Sequence, residues 1–99
     1  MVVKFMPNEK GTPFGKLADA EVHFTEGLLQ GMKLMGFIVW ERKGGGGRIV
    51  TFPSRTYSVN GERRSYSLLR ATHELSAQDG IRDLVLRAYS EFVKETADS

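Results

Sequence analysis

The chain is expected to fold as an α+β domain: an antiparallel sheet of four or five strands with one C-terminal amphipathic helix packed on or beside it. Three features of the sequence predict this. Apolar and polar residues alternate from Lys16 and again from Met32, the two-residue period of β-strands. Asn60-Gly61 stands between two strand-like runs and suits a two-residue hairpin turn. Ile81, Leu84, Val85, Ala88, Tyr89, Phe92 and Val93 recur at helical spacing, with Arg82, Asp83, Arg87, Ser90, Glu91 and Lys94 opposite them. A length of 99 residues, 40% apolar and 26% charged, fits a single domain with one core.

Met1 to Gly15 carries Pro7, Asn8, Gly11, Thr12, Pro13 and Gly15 without a period and is expected to be a flexible arm, leaving residues 16–99 as the domain. Ala18, Ala20, Val22 and Phe24 then point one way along a half-buried strand, and Thr25-Glu26-Gly27 turns the chain. The next strand, Met32 to Trp40, becomes apolar on both faces in its later half. That marks a central strand or one covered by a partner. Gly44 to Gly47 reads as a flexible loop before a third strand, Arg48 to Phe52, which Pro53 stops. Thr56 to Val59 and Glu62 to Tyr66 form the arms of the Asn60-Gly61 hairpin. Ser76 is the expected N-cap of the last helix, with Asp79 near the positive end of its dipole.

The formal charge of +2 is small, but its distribution is uneven. Residues 1–41 sum to −1, residues 42–70 to +6 and residues 71–99 to −3. Five arginines lie between Arg48 and Arg70, and arginine suits forked contacts with phosphate or carboxylate. With no cysteine, thiol catalysis, disulfides and cysteine zinc sites are excluded. The run Phe37 to Trp40 is far shorter than the roughly 20 apolar residues that span a bilayer. The opening segment lacks the pattern of a secretory signal, so a cytoplasmic location and no membrane partner are expected.

Catalytic patterns are missing. His23 and His73 lie fifty residues apart with no metal-ligand spacing around them. Ser54, Ser65 and Ser67 lack a nucleophile elbow, and the glycine loop lacks the Lys-Ser or Lys-Thr ending of a phosphate-binding loop. The chain is therefore expected not to be an enzyme and to have no cofactor, metal or small-molecule substrate. One constellation remains: Phe52, Tyr57 and Tyr66 interleaved with Arg48, Arg55, Arg63 and Arg64. Such a set can stack bases while guanidinium groups hold phosphates, or it can simply pack across a hairpin with arginine stems over tyrosine rings.

The segment Arg48-Ile49-Val50-Thr51-Phe52-Pro53-Ser54-Arg55, then Asn60-Gly61-Glu62-Arg63-Arg64, then Gly80 to Tyr89 with Ile81, Val85 and Tyr89 four apart, resembles the SpoVG family of septation regulators. The resemblance covers roughly Met35 to Phe92. It implies a small α+β fold, a dimer formed through the sheet and a nucleic-acid-binding regulatory role in a bacterial cytoplasm. Phe52, Pro53, Ser54 and Arg55 match the family's Pro-Ser motif, Arg64 falls near its Gly-x-x-Arg position, and Arg82 and Arg87 fall in its helix region. The chain departs from the family in its opening segment, at Gly36 to Glu41, where the family's strand carries an Arg, in its glycine loop and at Ser67 to Arg70.

The leading expectation is a nucleic-acid-binding domain, for DNA or RNA, with Arg48, Arg55, Arg63, Arg64, Arg82 and Arg87 on phosphates. A homodimer is expected through Leu34, Phe37, Ile38, Val39 and Trp40. The alternative is a structural or protein-interaction module that self-associates through its sheet without a nucleic-acid partner.

Overall fold

The computed structural model describes residues 1–97. Strands β1 (Val2–Pro7), β2 (Lys16–His23), β3 (Lys33–Glu41) and β4 (Arg48–Thr51) form an antiparallel sheet in the order β1-β2-β3-β4. A separate two-stranded hairpin, β5 (Ser54–Val59) and β6 (Glu62–Ser67), follows. Helix α1 (Ser76–Ala97) lies against β1 and β4. The architecture is the α+β arrangement that the alternating runs and the helical stripe predict, with the hairpin outside the main sheet.

The expected flexible arm is corrected by β1. Val2 to Pro7 pair in register with His23 to Ala18. Val3 and Phe5 alternate toward α1, where the Phe5 ring packs 5.3 Å from both Tyr89 and Phe92. Six residues hold little periodic signal of their own; the stability of the strand comes from these rings and from an edge of β2 that needs a partner.

The core lies between one sheet face and α1. Ala18, Ala20 and Val22 of β2, Phe37 and Val39 of β3, Val50 of β4, and Val85 and Tyr89 of α1 are buried. A bulge in β3 controls which residues reach this face. Ala20 stands opposite Phe37 and Val22 opposite Leu34, so Met35 and Gly36 together oppose the single residue Glu21. Leu34 and Phe37, three apart, thereby share the α1 side, which strict alternation forbids. Gly36 is required: its φ is +105°, and a Cβ there would meet the Pro53 Cβ at 2.9 Å.

Strand β3 does have two apolar faces. Its covered face is filled from within the chain, while Ile38 and Trp40 lie on the other, half-buried beside Ile49 and Thr51 of β4. The Trp40 indole N–H donates to the Thr51 hydroxyl at 2.9 Å. Ser76 differs from its expected N-cap role. It is the first helical residue and its hydroxyl donates to Glu74 at 3.4 Å, while the Ala77 and Gln78 amides donate to the Glu74 and Leu75 carbonyls.

Candidate nucleic-acid interface

Hairpin β5–β6 is built around Asn60 and Gly61, whose φ values of +51° and +81° are those of the turn the dipeptide predicts. The turn sets the register. Val59 opposes Glu62, Ser58 opposes Arg63, Tyr57 opposes Arg64, Thr56 opposes Ser65 and Arg55 opposes Tyr66. Because side chains alternate along a strand, Arg55, Tyr57, Arg64 and Tyr66 share one face, closed toward the turn by Val59 and Glu62. The opposite face carries Ser54, Thr56, Ser58, Ser65 and Ser67 with Arg63.

The two tyrosine rings lie 5.7 Å apart at 54° and are about two-fifths exposed. Every residue from Ser54 to Tyr66 is exposed. Arg64 makes an ion pair with Glu62 at 3.3 Å, between two exposed side chains, a contact worth about 1 kcal/mol or less. Among the described residues, Arg55 and Arg63 take part in no ion pair. The face thus offers two exposed aromatic rings and two guanidinium groups, that of Arg55 in no ion pair among the described residues and that of Arg64 in an exposed pair with Glu62.

The remaining predicted arginines are dispersed. Arg48, on β4, places its guanidinium 4.9 Å from the centre of the Tyr89 ring, and Arg82 lies 5.5 Å over Phe52 while pairing with Asp79 at 2.7 Å. Arg87 donates to the Asp83 carbonyl within its own helix at 3.4 Å. Arg55 and Arg64 come together on one hairpin face, Arg63 lies behind it, and Arg48 and Arg82 hold aromatic rings beside the helix. The expected set of six is therefore not one continuous patch. Tyr57 and Tyr66 join the candidate site instead, and counting outward from Asn60-Gly61 is the signal that places them with Arg55 and Arg64.

The expected dimer residues also divide. Phe37 and Val39 are 0% exposed beneath α1, and Leu34 packs against the same core, so these three are filled by the chain itself. Ile38 and Trp40 alone face the open side of the sheet. Near them Glu21 accepts from His23 at 3.1 Å and from Lys33 at 3.3 Å. The hydrogen bond from His23, together with the Lys33 ammonium, holds the Glu21 carboxyl below its ordinary value.

Among the described residues no group of three or more His, Asp and Glu side chains gathers at a metal-binding distance, and no helix is long and apolar enough to cross a membrane. Comparison of the chain with protein-family models, with curated proteins and with solved structures returned no match.

Proposed function

We propose that this chain is a small non-enzymatic nucleic-acid-binding regulatory domain that engages a single strand of DNA or RNA through the Arg55-Tyr57-Arg64-Tyr66 face of β5–β6. The observation that carries this reading is the shared face itself. Two exposed rings and two guanidinium groups alternate on a ribbon whose residues contribute nothing to the core. Bases stack on tyrosine without regard to sequence, and the adjacent arginines neutralise phosphates. A face with paired rings favours splayed bases over a duplex, whose bases are already stacked on one another.

Fluorescence anisotropy with labelled single-stranded DNA, single-stranded RNA and duplex DNA, across a salt series, tests it. Saturable binding with a preference for single strands is expected. Replacing Arg55 and Arg64 together by Ala flattens the slope of log affinity against log salt by roughly 1.4 units, about 0.7 per phosphate. Replacing Tyr57 by Ala costs about 1–3 kcal/mol of binding at any salt. An unchanged slope in the arginine variant removes this face from the interface.

A second reading rests on a different observation, the sheet face turned away from α1, on which Ile38, Trp40 and Ile49 are half-buried. On this reading the chain is an interaction module that self-associates as a homodimer through that face. Light scattering on the wild type and on Trp40→Lys separates the two, because a monomer in both samples leaves the hairpin as the functional surface.

A further inference from the structure

Where the start of α1 approaches the far end of the sheet, the packing does not close. A cleft of about 360 Å³ remains between Val22, Phe24, Leu34 and Phe37 on the sheet side, Leu69 to Ala71 on the crossing segment, and Ala77, Gln78 and Ile81 on the helix. Its size falls within the range of small-molecule sites, about 300–1,000 Å³. Ala71 and Ala77 are the short side chains at this junction, and they leave the space that larger residues would fill.

The walls are almost wholly apolar, and the polar groups on them are few. Gln78 is engaged, its amide donating to the Leu69 carbonyl at 3.5 Å. Arg70 is the one charged side chain among the lining residues; it is exposed, and among the described residues it takes part in no ion pair or side-chain hydrogen bond. Among the described residues no acid lines the cleft. An apolar recess whose one charged side chain is an unpaired cation, with the Met1 backbone end also on its lining, is complementary to an apolar body bearing a negative head.

We propose that this cleft binds a small anionic amphiphile, its apolar body against Phe24, Leu34 and Ile81 and its carboxylate or phosphate head at Arg70. The site is distinct from the hairpin face and does not depend on nucleic-acid binding. Arg70 belongs to the basic middle third of the sequence, yet it lies outside the hairpin strands, so a ligand here gives that charge a role of its own.

Titration of the full chain with decanoate, decyl phosphate, decanol and decyltrimethylammonium, each below its micelle concentration and followed by backbone-amide NMR, tests the proposal. Saturable shifts confined to residues around Leu34, Phe37, Ala71 and Ile81 are expected with decanoate or decyl phosphate, and the stronger of the two identifies the head group. Arg70→Gln weakens the anionic probe about tenfold and leaves decanol unchanged, since only the charge-assisted contact is lost. Ala77→Phe fills the recess and abolishes both. Should Ala77→Phe fail to give a dispersed spectrum, Arg70→Gln, an exposed change, decides alone. Three results overturn the proposal: no saturable shifts, equal binding of decyltrimethylammonium, or shifts at the same residues that follow protein concentration without any probe, which would mean that a second copy fills the cleft.

Discussion

The covered sheet and the β5–β6 hairpin are both antiparallel β-structure, yet they are held by different forces. Strands β2 and β3 bury Ala18, Ala20, Val22, Phe37 and Val39 under α1, whereas the hairpin buries no residue at all. Two-stranded ribbons are marginal by themselves in water, so this one rests on its turn, its ladder and one tyrosine pair. The contrast separates residues retained for packing from residues whose side chains face solvent. Arg55, Tyr57, Arg64 and Tyr66 belong to the second class, which is why they carry the functional proposal.

Truncating the core breaks the covered region first. Phe37→Ala removes a ring that is fully buried and in edge contact with Phe52 at 5.2 Å, and it is expected to cost about 3–5 kcal/mol in chemical denaturation. The equivalent truncation in the hairpin, Tyr57→Ala, is expected to change global stability by about 1 kcal/mol or less, measured in the same denaturant series. Comparable losses for the two variants would mean that the hairpin is part of the cooperative core.

Gly36→Ala probes the junction of the two regions. The added methyl meets Pro53, which leads into β5, in a backbone conformation that L side chains rarely adopt, so a loss of about 1–3 kcal/mol is expected. Retention of full stability would show that the bulge relaxes without cost. A smaller and local effect is expected from Gly61→Ala, at φ +81° in the turn: faster amide hydrogen exchange along β5 and β6 with exchange in β2 and β3 unchanged.

The smallest effect concerns the open face of the sheet. Glu21 is held below its ordinary value of 4.5 by His23 and Lys33, so its contribution to stability is present above that value and is lost as pH falls through the lower folded-state value. Thermal melts between neutral and acidic pH are expected to show this acid limb reduced in Glu21→Gln. An identical acid limb in the two proteins would mean that the contact adds nothing to folding.

Local sequence was informative wherever a signal is carried by neighbours along the chain. The alternation of Ala18, Ala20 and Val22 marks β2, Asn60-Gly61 fixes the hairpin register, and Ile81 to Val93 marks the apolar stripe of α1. The candidate face was legible in the same way, since the register from the turn puts Arg55 and Arg64 with the two tyrosines. A net charge of +6 over the middle third conveyed no such geometry, because charge counted along a chain ignores which way each side chain points.

Local sequence dictates the kind of each periodic element and the turn between β5 and β6, because backbone periodicity and glycine conformations act within a few residues. Tertiary structure alone decided that Val2 to Pro7 would become a strand, since its stability depends on β2 and on the rings of Tyr89 and Phe92. It also decided that a bulge at Met35 and Gly36 would put Leu34 and Phe37 on one face, and that Arg48 and Arg82 would lie over aromatic rings beside α1. These outcomes depend on surfaces brought together from distant parts of the chain, whose burial outweighs local preference.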